Sequence, residues 1–202
     1  MIRLVLGGER SGKSDFALQG LLQGPGPHCL VVTGRAMDLD FRQRIRKHQE
    51  SRPQDLPVYE ADANLAQVLR DLGGERDAPG GALRAQEMGA ERQAPVGASA
   101  EVAKRQAPVG ALLVDSLDFW LFHVLNANND PDEATQELLD ALTKAACDIS
   151  LVSCEIGLGP SPATPETRAF VRSLGALNQA VAQVSHEVCL VAAGCPLYLK
   201  RS

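Results

Sequence analysis

The stretch Gly7-Gly8-Glu9-Arg10-Ser11-Gly12-Lys13-Ser14 decides the fold. An apolar run over residues 2–6 precedes it and predicts a strand, and residues 15–19 after it predict a helix. In this setting the eight residues match the P-loop pattern G-x-x-x-x-G-K-[ST]. Its glycines allow backbone N–H groups to turn toward the phosphates of a nucleotide, and the helix N-terminus adds partial positive charge. The sequence therefore predicts a nucleotide-binding site rather than a glycine-rich turn that matches by chance.

Two side chains of this loop are predicted to act directly on the nucleotide. Lys13 is placed to reach the β- and γ-phosphates as a catalytic residue, and the Ser14 hydroxyl is placed to bind Mg²⁺. Nucleotide contact is expected along the whole loop, at Gly7, Gly8, Glu9, Arg10, Ser11, Gly12, Lys13 and Ser14.

A carboxylate suited to the same magnesium ion comes later in the chain. Residues 111–114 are apolar and lead into Asp115, which is the Walker B pattern of a strand that ends in an aspartate. At the carboxyl end of a strand beside the P-loop, such an aspartate holds Mg²⁺ directly or through water. The alternative is an aspartate that only caps the next helix.

Length and composition describe an ordinary globular chain of one domain over residues 1–202. The net charge of -5 argues against a nucleic-acid partner. The five cysteines show no zinc or redox spacing, which favours reduced thiols in the cytoplasm. Since the first strand starts at residue 2, no signal peptide is expected, and residues 188–199 are too short to span a bilayer.

Strands alternate with helices along the chain, which predicts an α/β fold of the P-loop NTPase type (RecA-like). The expected form is a mostly parallel sheet with helices on both faces. Strands after the first are predicted at 29–33, 58–60, 111–115, 149–153 and 187–193, with a short edge strand at 197–199. Helices are predicted at 38–50, 64–72 and 117–125, from 130 onward, and after 165.

Residues 73–110 differ from the rest of the chain. An imperfect R-x-A-P-x-G-A repeat starts at Arg76, Arg92 and Arg105, with no aromatic residue and few large apolar ones. Such a segment buries too little surface to offset the entropy of ordering it. We predict a flexible surface insertion rather than a partner-binding element.

A possible second reactive group is His48, on the helix predicted over 38–50. Arg44 and Arg52 are four residues away on either side, so all three side chains can share one helix face. The two cations would favour a neutral, nucleophilic imidazole and would stabilise phosphate charge as it develops. Such a histidine could form a covalent phosphoramidate. The composition by itself favours the alternative, a solvated histidine on a charged face.

Taken in order, these motifs resemble the adenosylcobinamide kinase / adenosylcobinamide-phosphate guanylyltransferase family of cobalamin biosynthesis. The resemblance covers the whole chain except residues 73–110. Beyond the P-loop it is carried by Arg44-Ile45-x-x-His48-x-x-x-Arg52-Pro53, Glu60, Asp115-Ser116-Leu117 with Trp120, Glu155-x-Gly157-x-Gly159, Arg168 with Phe170, Asn178-Gln179, and Ala193-Gly194-x-Pro196-Leu197 to Lys200.

The resemblance implies a bifunctional enzyme with ATP and GTP as substrates. A triphosphate would phosphorylate the aminopropanol hydroxyl of adenosylcobinamide. His48 would then attack the α-phosphorus of GTP, and the GMP would pass to the phosphorylated cobinamide. The resemblance also implies a homotrimer. It further implies that five residues lie near the nucleotide: Thr33, Gly34, Arg52, Glu60 and Asp115.

The chain departs from the family pattern at three places. Cys154 and His123 each stand where asparagine is usual, and Ala163-Thr164 replaces Glu-Asn. These positions bear on corrinoid contacts more than on nucleotide contacts. Two other functions fit the P-loop: a kinase for another small hydroxyl compound without guanylyltransfer, and a nucleotide-binding module without catalysis.

Overall fold

The computed structural model describes residues 1–34, 56–74, 109–160 and 162–201. In these ranges seven strands form one sheet in the order β3-β2-β4-β5-β1-β6-β7. The strands are β1 Ile2–Gly7, β2 His28–Val32, β3 Val58–Glu60, β4 Ala111–Asp115, β5 Asp148–Cys154, β6 Glu187–Ala192 and β7 Cys195–Arg201. Every neighbouring pair is parallel except β6 and β7, which are antiparallel. The predicted mostly parallel sheet is confirmed.

Five α-helices and one short 3-10 helix connect these strands in the described ranges. They are α1 Lys13–Gln23, α2 Leu65–Gly73, α3 Leu117–Asn126, α4 Pro131–Lys144 and α5 Pro165–Val184, with the 3-10 helix at Ile156–Leu158. Proline follows the N-cap of both α4 and α5, where its missing N–H costs no hydrogen bond.

The helices cover both faces of the sheet, as predicted. Successive residues of a strand point to opposite faces, and β1 shows this directly. Val5 packs in a cluster with Ala17 and Leu21 of α1, whereas Leu4 and Leu6 belong to the larger core on the other face. Helices α2 to α5 contribute to that larger core. Central strands buried on both faces explain the continuous apolar runs in the sequence.

The register of the parallel strands lines up their carboxyl ends. Gly7 is opposite Cys154 in the β1–β5 pair, and Asp115 is opposite Val152 in the β4–β5 pair. The segments that follow β1, β4 and β5 therefore meet at one edge of the sheet, which is where open α/β folds bind their ligands.

Most of the predicted insertion lies outside the described residues, as does the helix predicted over 38–50. The described residues nearest the insertion lie close together, since the N–H of Val109 donates to the carbonyl of Leu72 at 3.3 Å. The chain thus leaves and re-enters the fold at adjacent points.

The final strand is longer than predicted and forms the sheet's exposed edge on that side. Of the described helices, none is both long and apolar enough to cross a membrane. All five cysteines lie in the described ranges as free thiols.

Candidate nucleotide-binding site

The P-loop closes tightly between β1 and α1 because glycine stands at its two narrowest points. A Cβ added at Gly7 would lie 2.7 Å from the carbonyl oxygen of Val191 and would also collide with the Ser11 side chain. Gly12 has a φ of +90° and caps α1, where its carbonyl accepts from the N–H of Phe16 at 3.0 Å. A side chain at either position would disturb the loop.

One hydroxyl inside this loop is left available. Ser11 is buried, and its Oγ has no hydrogen-bond partner among the described residues. A buried hydroxyl without a partner is costly in a folded protein. A phosphate oxygen that entered the loop would satisfy it, so the loop suits an anionic ligand.

Lys13 lies across its own loop, with Nζ donating to the carbonyl of Gly8 at 3.1 Å. Because this hydrogen bond is exposed, breaking it costs little free energy. The Lys13 ammonium can therefore leave the Gly8 carbonyl and donate to a phosphate oxygen instead.

Ser14 and Asp115 are brought together as the sequence predicts. The Ser14 hydroxyl donates to Asp115 Oδ1 at 3.3 Å across 101 residues of sequence. Hydroxyl and carboxylate oxygens are the hard donors that Mg²⁺ prefers, and one or two such groups are its usual protein ligands beside nucleotide phosphates. The donor set present here fits that ion.

Thr33 lies at the same edge of the sheet but is buried against the segment that follows β4. Its Oγ1 donates to the carbonyl of Ser116 at 2.5 Å and accepts from the Ser116 N–H at 3.0 Å. The hydroxyl therefore ties β2 to the start of α3. Gly34 is half-buried just after it.

Glu60 is exposed at the end of β3, which is an outermost strand of the sheet, four positions away from β1 and its P-loop. Four strand spacings of about 4.8 Å separate β3 from β1, or roughly 19 Å. At that distance Glu60 is outside the reach of the phosphate group. Nucleotide contact by Thr33, Gly34 and Glu60 stays a prediction, and His48 and Arg52 lie outside the described residues.

Lys13 also influences Cys154, a residue that the sequence analysis did not assign to the nucleotide site, and so does Asp118. Burial first, and then the carboxylate of Asp118, raise the pKa of the Cys154 thiol to about 11, while Lys13 opposes the rise. The sequence offered a weak signal for Asp118, which is a second carboxylate three residues after Asp115.

The loop after β5 is held from two sides. The N–H of Glu155 donates to the carbonyl of Gly7 at 3.2 Å, which joins this loop to the P-loop. From α5, Asn178 Nδ2 donates to the carbonyl of Cys154 at 3.0 Å and faces Glu155 Oε2 at 3.5 Å. Glu155 and Asn178 also line a cleft of about 300 Å³ between α5 and β7. The loop after β5 therefore contacts the P-loop on one side and borders this cleft on the other.

Comparison with known proteins agrees with this geometry. The family model described as cobinamide kinase / cobinamide phosphate guanyltransferase matches residues 3–78 and 88–199. The chain is 30% identical over 200 residues to the bifunctional adenosylcobalamin biosynthesis protein CobP of Pseudomonas aeruginosa, which covers 98% of this chain and 96% of that protein. It is 27% identical over 214 residues to CobU of Salmonella typhimurium, a protein of the same description, over 99% of this chain and 100% of that protein.

Among solved structures, the chain is similar to an ATPase from the type III secretion system of pathogenic bacteria. The TM-score is 0.49 and the identity 12%, over 94% of this chain and 50% of that chain.

Proposed function

The chain belongs to the cobinamide kinase / cobinamide phosphate guanyltransferase family, and from that premise we propose that it carries out both reactions on adenosylcobinamide. It is a nucleotide-binding transferase of cobalamin biosynthesis. In the first proposed reaction, a nucleoside triphosphate gives its γ-phosphoryl group to the aminopropanol hydroxyl. In the second, GMP passes from GTP to the phosphorylated product, with a guanylyl-histidine as intermediate.

The observation that carries the kinase half is the meeting of Ser14 and Asp115 beside Lys13. Phosphoryl transfer needs positioned positive charge more than covalent help from the protein. Lys13 supplies one such charge to the β- and γ-phosphates. Ser14 and Asp115 would hold Mg²⁺, which when bound would neutralise charge on the phosphate oxygens. The unpartnered Ser11 hydroxyl would donate to a phosphate oxygen.

The guanylyltransferase half is assigned to His48, which lies within the residues matched by the family. Its imidazole would attack the α-phosphorus of GTP. The bond from that phosphorus to the oxygen bridging the α- and β-phosphates would break, and pyrophosphate would leave with the electron pair. Arg44 and Arg52, four residues to either side, would keep the imidazole neutral and stabilise the charge that develops.

Incubation with GTP labelled at the α-phosphorus, in the presence of Mg²⁺, tests this half. We expect a label that survives denaturation and is lost in His48→Ala. His123→Ala is the matched control, because it removes a half-buried histidine from α3 and should keep the label. Label retained in His48→Ala would overturn the assignment of the histidine.

The same assay separates the other functions. Transfer of the γ-phosphoryl group without formation of a GMP adduct would indicate a kinase for another small hydroxyl compound. Binding of GTP without turnover of either kind would leave a nucleotide-binding module.

The proposed assembly is a homotrimer in the cytoplasm. The resemblance to the family supports both parts of this proposal. Light scattering coupled to size-exclusion chromatography tests the assembly, since a trimer of this 21.5 kDa chain has three times that mass.

A further inference from the structure

The cleft between α5 and β7 is a feature that nucleotide binding leaves unexplained. Its volume is about 300 Å³. Most of its lining is apolar and comes from Leu6, Val188 and Leu199 on the strands and from Gly175 and Ala182 on α5. A concave, mostly apolar site of this size, with a few polar groups, is typical of the places where proteins bind small molecules.

Backbone contacts connect this cleft to the P-loop. Leu6, which lines the cleft, directly precedes Gly7, the first residue of the P-loop. Glu155, which also lines it, donates its backbone N–H to the Gly7 carbonyl at 3.2 Å. The next residue of the P-loop holds Lys13, whose Nζ donates to the Gly8 carbonyl at 3.1 Å. One end of the cleft therefore borders the loop that binds the phosphates.

The other end of the cleft is bounded by Lys200. Its Nζ donates to the carbonyls of Ala182 and Gln183 near the end of α5, at 3.0 and 2.9 Å. Between Gly175 and Ala182, which both line the cleft, the helix rises by roughly 10 Å. The cleft is thus a groove of about that length along α5, from the P-loop side to Lys200.

The polar groups of the groove suit a ligand that carries an amide. Glu155 is half-buried, and its Oε2 faces Asn178 Nδ2 at 3.5 Å. A carboxylate can accept about four hydrogen bonds, so Glu155 can accept from a ligand N–H while it keeps this contact. The side-chain amide of Gln179, which also lines the groove, can donate to a ligand carbonyl. The apolar lining suits the methyl and methylene groups of a short alkyl chain.

From this arrangement we propose that the cleft binds the aminopropanol arm of the acceptor, an inference that rests on the proposed kinase reaction. This arm is a hydroxyalkyl amide. Its carbon chain packs against Leu6 and Val188, its N–H donates to Glu155, and its hydroxyl lies at the end of the groove that borders the P-loop. The macrocycle of the acceptor is too large for a cleft of about 300 Å³ and stays outside, beside the exposed Leu199.

Two tryptophan variants test this assignment. Leu199→Trp adds bulk to the cleft from β7. Leu197→Trp is the matched control, because Leu197 is exposed to a similar extent on the same strand, 60% against 57%, but does not line the cleft. A misfit of one methylene in an apolar pocket changes kcat/KM by about 10- to 200-fold. We expect the KM for the acceptor to rise by at least about tenfold in Leu199→Trp alone, with the nucleotide Kd unchanged.

A second pair of variants fills the cleft from its other wall. Gly175→Leu places a side chain on α5 where an added Cβ meets no atom within 4 Å. Ala176→Leu is its control, at the exposed next position of the same helix. The acceptor KM should rise in Gly175→Leu only. Formation of the GMP adduct involves no acceptor, so all four variants should form it at the wild-type rate.

Three results would overturn the inference. The first is a wild-type acceptor KM in both cleft variants. The second is a parallel loss of nucleotide binding, which would show that the cleft supports the P-loop. The third is a changed molecular mass in solution, which would assign the cleft to a contact between subunits. Absence of acceptor phosphorylation in the wild-type protein would instead overturn the proposed kinase reaction, and this inference with it.

Discussion

The backbone N–H of Gly194 donates a hydrogen bond to the carbonyl oxygen of Ser11 at 2.8 Å, which fastens the turn between β6 and β7 to the P-loop. The contact is close: a Cβ on Gly12 would lie 3.2 Å from the Cα of Gly194. The phosphate-binding loop is therefore shaped partly by a turn near the other end of the sequence.

Gly194→Ala should weaken both folding and nucleotide binding. Gly194 has a φ of +77°, where an L-residue loses roughly 1–2 kcal/mol, although the space around its Cβ is open. We expect the free energy of unfolding to fall by about that amount. Relief of this strain would move the turn away from Ser11, so the nucleotide Kd should rise. Denaturant unfolding and calorimetric titration measure the two effects.

Gly175→Ala is the control for that change. Gly175 lies inside α5 with open space around its Cβ, and its φ is not in the left-handed region. Alanine there should stabilise the protein by about 0.5–1 kcal/mol and leave the nucleotide Kd unchanged. Equal effects of the two substitutions would contradict a specific role for the β6–β7 turn.

Asp115→Asn should remove most of the magnesium dependence of nucleotide binding. The change keeps the shape of the side chain that accepts from Ser14 but removes the charge that a divalent cation requires. Nucleotide Kd values measured with Mg²⁺ and with chelator should differ strongly in the wild-type protein and little in the variant. Ser14→Thr keeps the hydroxyl and should behave like the wild type. If the nucleotide Kd of Asp115→Asn depended on Mg²⁺ as strongly as that of the wild type, Asp115 would not be a ligand of the ion.

Buried thiols should make the fold sensitive to alkaline pH. Burial first, and then the charge of Cys147, raise the pKa of Cys29 from 9.0 to about 12. As pH rises from about 9 toward 12, the unfolded chain releases this proton while the folded chain retains it, so the free energy of unfolding falls. The stabilisation is complete below the pKa of Cys29 in the unfolded chain and is lost as the pH rises through its pKa in the folded protein.

Cys29→Ala should therefore lose less stability than the wild type over that pH range, even if its stability at neutral pH is lower. Thermal unfolding at a series of pH values measures the slope. Cys195→Ala removes an exposed cysteine and should leave the slope unchanged. Identical slopes in all three proteins would contradict the role assigned to the buried thiol.

The sequence predicted those parts of the fold that depend on local pattern. Apolar runs that end in glycine or aspartate identified β1 and β4. The two motifs that follow these strands also indicated that Ser14 and Asp115 lie close together. Side-chain periodicity sets such features within a few residues of chain, and the parallel topology follows from the alternation of strands and helices.

Contacts between distant segments were not predictable in this way. Nothing in the pattern around Gly194 indicates that its N–H reaches Ser11, because that contact depends on the order of strands in the sheet. For the same reason Cys154 was interpreted only as a departure from a family pattern, although the charges of Asp118 and Lys13 both act on the pKa of its thiol. The sheet order also shows how far β3, and with it Glu60, lies from the P-loop.

Asn178→Ala should destabilise the protein through the loop that follows β5. Asn178 is 4% exposed, and its Oδ1 accepts from the Ser153 hydroxyl at 2.7 Å while its Nδ2 donates to the Cys154 carbonyl. Alanine would remove the partner of the buried Ser153 hydroxyl and one donor to the half-buried Cys154 carbonyl, at a cost of about 1–3 kcal/mol for each group that water cannot reach. Gln179→Ala changes the exposed neighbour on the same helix and should stay within about 0.5 kcal/mol of the wild type. Denaturant unfolding compares the two variants, and equal losses would mean that the buried amide does not hold this loop.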